Sequence, residues 1–105
     1  MSTETIIEHE VKIDEVLKKE QTLPPKYKVI FLNDDVTPVE WVVEVLTNIF
    51  KHSQEVAEQI TLTIHTEGSG VAGIYTYEIA EQKTLEATNA SRNHGFPLQI
   101  RMEQE

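Results

Sequence analysis

The densest group of polar side chains is the segment Asn33–Pro38, which reads Asn-Asp-Asp-Val-Thr-Pro and follows an apolar run. Its carboxylates, with the imidazole of His65, could act as general acid and base. The same residue types are typical of a turn followed by a helix N-cap. Local sequence therefore leaves a catalytic or metal site and a structural turn open.

A hydrolase or a metal protein would have to use Asp34, Asp35 and His65, because the sequence holds no familiar catalytic motif. The nucleophile-elbow, zinc-protease, phosphate-loop and dinucleotide-binding patterns are missing. The segment Gly68–Gly70 is too short to cradle a phosphate and is typical of a turn. We expect no enzyme activity, no metal and no cofactor. The remaining histidines show no metal-ligand spacing: His9, His52 and His94.

The composition excludes several kinds of partner. Eighteen acidic and nine basic residues give a formal net charge of −9, which argues against binding to nucleic acid or to an anionic membrane, since both require Lys and Arg. The 105 residues include no cysteine and no apolar run of the roughly 20 residues that a membrane-spanning helix needs. The first residues do not resemble a secretory signal. We expect a soluble cytoplasmic protein that is monomeric by itself.

Secondary-structure signals divide the chain at the proline pair Pro24–Pro25. Residues 1–23 are rich in Glu and Lys and contain no aromatic residue and no glycine, so they predict a flexible N-terminal tail. The run Tyr27–Leu32 predicts a strand that is buried on both faces. Thr37, followed by Glu40 three residues later, predicts a capping box at the start of a first helix.

The rest of the chain predicts two more helices and two more strands, which complete one core domain over residues 24–105. The segment Ser53–Gly68 predicts the second helix, with a serine N-cap and a glycine stop. A strand follows over 71–77, a helix with small residues on one face over 78–93, and an alternating strand over 98–103. The order β-α-α-β-α-β predicts an α+β fold, in which three helices pack on one face of a three-stranded sheet.

Four blocks of the sequence carry a family resemblance. The block Pro24–Glu40 combines a proline pair, a Tyr-x-Val strand and Asn-Asp-Asp-x-Thr-Pro-x-Glu; the others are Ile64–Gly68, Gly73–Lys83 and Pro97–Leu98. Together, in one register over residues 24–105, they resemble the ClpS family of adaptors for ATP-dependent Clp proteases. The combination is highly specific, whereas Asn-Asp-Asp alone is not. The fold implied is similar to that of the C-terminal domain of the ribosomal stalk protein.

The resemblance implies a binding protein that recognises N-degrons. Such substrates begin with a large hydrophobic residue (Leu, Phe, Tyr or Trp) that bears a free α-amino group, and the adaptor hands them to the AAA+ unfoldase of a Clp protease. At matching positions, Asn33, Asp34 and His65 would surround the α-ammonium group, whose three donors need acceptors of this kind. Eight further positions would line the mouth and the side-chain pocket: Leu32, Asp35, Thr37, Val39, Val42, Thr61, Ile64 and Leu98.

Two pocket positions depart from the pattern of the family. Val39 and Thr61 stand where the family commonly has Met. Shorter β-branched side chains would widen or reshape the pocket. We therefore expect recognition of the amine to be kept and the preference among first side chains to shift.

The resemblance also implies a docking surface for the unfoldase. Glu78 and Lys83, with Thr76 nearby, match the region at the start of the third helix that docks on the N-terminal domain of a ClpA- or ClpC-like unfoldase, although Glu78 equally suits the first turn of any helix. The tail, residues 1–23, would serve substrate delivery rather than substrate binding. The alternative is a protein–protein interaction domain of the same fold without an N-degron pocket.

Overall fold

The structure is a computed structural model that describes residues 23–105. Apart from Leu23, the tail predicted for residues 1–23 lies outside the described residues. Within the described part, no helix is both long enough and apolar enough to cross a membrane.

Three strands and three helices follow one another in the predicted order β-α-α-β-α-β, which confirms the α+β fold. Every predicted element is present, with ends that differ from the expected ones by one or two residues. The elements are β1 (Lys26–Leu32), α1 (Val39–Asn48), α2 (Gln54–Glu67), β2 (Ser69–Thr76), α3 (Tyr77–Asn93) and β3 (Gln99–Gln104).

The first strand is the centre of the sheet. It pairs antiparallel with β2 on one side and with β3 on the other. The β1–β2 register shifts between Val29 and Ile30, and Ile30 then lies opposite Val71 and Arg101 of the flanking strands. Val29, Ile30 and Phe31 are all buried. Because successive side chains of a strand point to opposite faces, this run confirms the predicted burial on both faces.

The hydrophobic core lies between one face of the sheet and the three helices. Val29 and Phe31 point into it, and the Phe31 ring packs edge-on against Phe50 at 5.4 Å. Ala80 and Ala87 of α3 are fully buried, so this helix lies close to the sheet, as its small residues predicted. The helices contribute most of the remaining core: Trp41, Val42, Val45, Leu46, Ala57 and Ile64.

A buried hydrogen bond fixes α1 against α3. The Trp41 indole nitrogen donates to Ser91 Oγ at 2.9 Å, and Ser91 Oγ donates to the Ala87 carbonyl at 2.8 Å. Burial of polar groups requires such partners. The bond therefore holds the orientation of α1, the helix that carries one wall of the candidate site.

The second helix begins and ends as the sequence predicts. Ser53 Oγ accepts a hydrogen bond from the Val56 N–H at 3.2 Å. The helix ends at Gly68, whose φ of 90° lies in the left-handed region that glycine adopts without a Cβ clash.

The predicted capping box at the first helix is wrong. Helix α1 begins at Val39, its N-cap residue is Pro38, and no side chain caps it. The Thr37 hydroxyl instead donates to Asp34 Oδ2 at 2.7 Å. Asp34 Oδ1 also accepts the Thr37 N–H at 2.7 Å, so this carboxylate organises the segment that leads into the helix.

Candidate functional site

An apolar pocket of about 240 Å³ lies between α1 and α2. Val39 and Val43, one helical turn apart on α1, form one wall. The other wall comes from a single stripe of α2 at helical spacing. The lining residues are Val39, Val43, Glu58, Thr61, Leu62 and His65. A pocket of this shape suits one apolar side chain of a ligand.

Thr61 presents a methyl group rather than a hydroxyl to this pocket. Its Oγ1 donates to the Ala57 carbonyl one turn earlier, at 2.7 Å, and the residue is only 7% exposed. The rim is different, because Val39 is 56% exposed and Leu62 is 61% exposed. A ligand that covers these exposed apolar side chains binds more favourably, by about 25 cal/mol per Å² of apolar surface removed from water.

The segment between β1 and α1 is a tight turn built around Asp34. Its Oδ1 accepts the N–H groups of Val36 at 2.8 Å and Thr37 at 2.7 Å, and its Oδ2 accepts the Thr37 hydroxyl. An ionised carboxylate has about four acceptor positions. Three are used by the turn, so one remains on Oδ2 for a ligand.

The environment of Asp34 favours its ionised form. Partial burial raises the pKa of its carboxyl group, but the hydrogen bonds from Thr37 and Val36, aided by the positive charge of Arg92, outweigh that effect and hold the pKa below its ordinary value. The turn therefore carries a fixed negative charge at neutral pH.

The end of α2 joins this turn. The Asn33 N–H donates to the Gly68 carbonyl at 2.9 Å, which ties the polar turn to the residue that follows the helix. His65, three residues before Gly68, is exposed and lines the pocket. The side chains of Asn33 and Asp35 are exposed as well. Hydrogen-bond acceptors and the apolar pocket thus belong to one connected region.

Some of the predicted pocket residues line the pocket in the structure, and others lie in the hydrophobic core behind its walls. Val39, Thr61 and His65 line the pocket. Three others are core residues rather than pocket walls, with exposed fractions of 6%, 3% and 1%: Val42, Ile64 and Leu98. Leu32 and Thr37 are half-buried.

Sequence reasoning missed three lining residues, namely Val43, Glu58 and Leu62. A signal for them was present. Val43 lies four residues after Val39, and Glu58 and Leu62 lie on the same helical stripe as His65.

The predicted unfoldase surface is only partly a free surface. Thr76 and Glu78, with Pro24 and Tyr77, line a cavity of about 390 Å³ at the start of α3. Lys83 instead contacts its own domain.

Three contacts hold the Lys83 side chain. Its Nζ donates to the Ile49 carbonyl at 2.8 Å, and it lies 5.4 Å from the centre of the Tyr75 ring and 5.8 Å from that of Phe50. A lysine bound in this way joins α3 to the end of α1.

Among residues 23–105, no group of three His, Cys, Asp or Glu side chains is placed to hold a metal ion. The described residues do offer an apolar pocket with His65 in its lining, and the Asp34 turn, which does not line this pocket, is joined to the end of the same helix by the Asn33–Gly68 bond. Such a site can bind a molecule that carries a cation beside an apolar group.

Fold and site together define a small α+β binding domain, in which a helix pair frames an apolar pocket beside a polar turn. The model of the family described as "ATP-dependent Clp protease adaptor protein ClpS" matches residues 22–101. The chain therefore belongs to the ClpS family of Clp protease adaptors, and the resemblance drawn from the sequence is confirmed.

Individual relatives agree with this assignment. The chain is 50% identical over 82 residues to the Clp protease adapter ClpS of Maricaulis maris, covering 78% of this chain and 75% of the relative. It is 46% identical over 93 residues to ClpS of Caulobacter vibrioides, covering 89% and 84%. A solved structure, Agrobacterium tumefaciens ClpS2 bound to L-phenylalaninamide, superposes with a TM-score of 0.76 at 41% identity, covering 78% of this chain and 99% of the other.

Proposed function

We propose that this adaptor binds the free N-terminal residue of proteins that begin with Leu, Phe, Tyr or Trp, and delivers them to the AAA+ unfoldase of a Clp protease. The observation that carries the proposal is the apolar pocket between α1 and α2, together with the acceptor-rich turn that is joined to the end of α2. The ligand of the Agrobacterium relative, L-phenylalaninamide, has the chemistry that such a site fits. It combines a free α-ammonium group, an aromatic side chain and an amide in place of the next peptide bond.

The α-ammonium group would lie at the polar turn. It carries three donors, and Asp34, Asn33 and His65 supply a carboxylate, an amide oxygen and an imidazole nitrogen. Hydrogen bonds that involve a charged group contribute roughly 1.5–3 kcal/mol each. The turn holds Asp34 in place before the ligand arrives, so little further ordering is needed.

The first side chain would enter the pocket between α1 and α2. Burial of a Leu- or Phe-sized side chain contributes roughly 1.5–3 kcal/mol. This contribution adds to that of the hydrogen bonds of the α-ammonium group, and the entropy of association offsets part of the sum. Val42, Ile64 and Leu98 support the pocket from the core.

The protein acts in this proposal by binding alone, without an enzyme activity of its own. Delivery would use the start of α3, where Thr76 and Glu78 are accessible beside Pro24, as a contact for the N-terminal domain of a ClpA- or ClpC-like unfoldase. A cytoplasmic location and a monomeric state are part of the same proposal. Lys83 would act indirectly, because it anchors α3 to α1.

The N-terminal tail would serve delivery. Removing residues 1–23 should leave the dissociation constant of an N-degron peptide unchanged and slow the degradation of an N-degron protein by the unfoldase and its protease. Equal losses of peptide affinity and of degradation rate would contradict this division of roles.

The amine test is the direct test of the proposed function. Fluorescence anisotropy would compare two labelled peptides that both begin with Phe, one with a free amine and one N-acetylated. We expect acetylation to weaken binding at least 100-fold, because it removes the charge and leaves the acceptors that the bound peptide covers without a donor. Equal binding of both peptides would refute the amine site and favour an interaction domain without an N-degron pocket.

A further inference from the structure

We propose that the outer face of the sheet, the side turned away from the helices, is a docking surface for the chain's own N-terminal segment, residues 1–22. This inference concerns a part of the molecule that the N-degron site does not use, and it stands independently of the proposed function. It assigns an occupant to a sheet face that the fold leaves open.

The outer face of the sheet carries an apolar strip. Val29 and Phe31 point into the core, and successive side chains of a strand alternate between the two faces, so Ile30 points outwards. Paired residues of neighbouring antiparallel strands share a face, which places Val71 and Arg101 beside Ile30. By the same rule the apolar strip consists of Ile30, Leu32, Val71 and Ile74.

No helix within residues 23–105 packs on this strip. All three helices contribute buried residues to the core on the opposite face of the sheet. Val71 is 41% exposed and Ile74 is 45% exposed, although both lie within a strand. Apolar side chains that are exposed together in this way are typical of a surface that binds another segment.

The outer face is basic on a chain that is acidic as a whole. The strand residues that point outwards include three basic side chains and one acidic one: Lys26, Lys28, Arg101 and Glu103. Six Lys and Arg and twelve Asp and Glu residues lie between positions 23 and 105, so half of the basic residues of this range are on one face. The whole chain has a formal net charge of −9. The occupant that fits this face is therefore an acidic segment with apolar side chains.

The chain's own N-terminal segment has this chemistry. Residues 1–22 hold six acidic and three basic side chains. Glu8 and Glu10 lie between Ile7 and Val11. The segment thus combines carboxylates with apolar groups, as the outer face combines cations with apolar groups. Its aliphatic residues are Ile6, Ile7, Val11, Ile13, Val16 and Leu17.

The segment is attached where it can reach the whole strip. It joins β1, the central strand, through the proline pair Pro24–Pro25. The strand has seven residues and is about 23 Å long at about 3.3 Å per residue. Leu17 lies nine residues before Lys26, and nine extended residues span about 30 Å. The aliphatic residues of the segment can therefore reach the far end of the strip.

Tethering favours the chain's own segment over an acidic segment of another protein. A segment joined to its binding surface by a short linker meets that surface at an effective concentration of about millimolar, so weak contacts are sufficient. The pocket of the candidate site lies between α1 and α2 on the helical side of the sheet. A segment on the outer face would leave that pocket open.

Paramagnetic relaxation enhancement in the 105-residue chain tests the proposal. The chain has no cysteine, so His9→Cys provides a single thiol for a nitroxide spin label within the segment. We expect the amide signals of Val71, Ile74 and Arg101 to lose intensity at low salt, while those of the helices keep theirs. Added salt should weaken the effect, because it screens the attraction between exposed charges.

Matched variants separate contact with the outer face from net charge. Arg101→Gln removes one cation from the face and should lower the docking equilibrium about two- to fivefold, as expected for one exposed ion pair. Lys51→Gln removes one exposed cation from the loop between α1 and α2 and should leave docking unchanged. Val71→Ser should weaken docking by shortening the apolar strip. Circular dichroism melts would establish that all variants are folded.

Three results would overturn the proposal. Intensity losses that are equal on both sides of the sheet, or confined to the start of β1, would show that the segment contacts no particular face. Equal effects of Arg101→Gln and Lys51→Gln would show that net charge explains the contact. The third result comes from a mixture of isotope-labelled chain without the spin label and unlabelled chain with it. Losses in this mixture as large as those within one chain would identify the occupant as the segment of a second copy.

Discussion

Replacing Asp34 by Asn separates the shape of the polar turn from its charge. The Asn oxygen can still accept the N–H groups of Val36 and Thr37, and the Thr37 hydroxyl can accept from the new amide instead of donating. Three hydrogen bonds to a charged acceptor are replaced by three between neutral groups. In a buried site each replacement would lower the free energy of unfolding by about 1 kcal/mol. Because the turn is half exposed, we expect a total loss of about 1 kcal/mol, or about 4–8 °C in melting temperature.

The effect of Asp34→Asn on peptide binding should be larger than its effect on stability. The α-ammonium group would meet a neutral acceptor in place of an ionised one. We expect a loss of about 1.5–3 kcal/mol, which is roughly a 10- to 100-fold rise in the dissociation constant. An N-acetylated peptide carries no charge at this position, so its weak binding should not change.

Two measurements on the same samples test this reasoning. Circular dichroism melts give the change in stability, and anisotropy titrations with a free-amine Phe peptide give the change in affinity. Glu86→Gln removes one exposed carboxylate from α3 and serves as the control for net charge. If Asp34→Asn remains folded and binds the free-amine peptide as tightly as the unmodified protein, Asp34 is not an acceptor for the amine and the reasoning is refuted.

Three further predictions follow from named contacts. Because the pKa of Asp34 is lowered in the folded state, its contribution to stability is present above the ordinary pKa of about 3.9 and lost as the pH falls through the folded value. The difference in melting temperature between the unmodified protein and Asp34→Asn should therefore be constant from about pH 5 to about pH 7, where the carboxyl group is ionised in the folded and the unfolded state, and should shrink at lower pH. A difference that grows in acid would have the wrong sign. Val39→Met should change the rank order of Leu, Phe and Trp peptides without lowering stability, since the side chain lies on an exposed rim; an unchanged order in anisotropy titrations would show that this position does not set the preference. Lys83→Met keeps the aliphatic stem but loses the bond from Nζ to a main-chain carbonyl at the end of α1, so the melt should show about 1–2 kcal/mol less stability at unchanged peptide affinity, and full stability would mean that the bond contributes nothing.

Local signals in the sequence determined the order of the elements and several of their ends. The serine at position 53 and the glycine at 68 bound the second helix because a cap needs a side-chain acceptor and a left-handed residue needs no Cβ. The alternation and β-branching of the strands were also visible. The first helix was placed correctly, but its capping box was wrong, because the N-cap residue is Pro38 rather than Thr37 and the Thr37 hydroxyl lies against Asp34 Oδ2.

The polar half of the site could be located from the sequence because it is one continuous turn. Asp34, Val36 and Thr37 lie close together in the chain, and the hydrogen bonds among them span two or three residues. The family resemblance then supplied the ligand class that local chemistry left open. Neither step needed the arrangement of the helices.

Only the tertiary structure decided which apolar residues line the pocket and which lie behind it. Val39 and Val42 are three residues apart on the same helix, yet one is 56% exposed and the other 6%. The difference arises from how α1 is rotated, and contacts between distant segments set that rotation. The Trp41–Ser91 bond spans 50 residues and the Lys83–Ile49 bond spans 34. Helical periodicity defines a stripe of apolar residues, but the side of the stripe that faces a neighbour depends on packing across the whole domain.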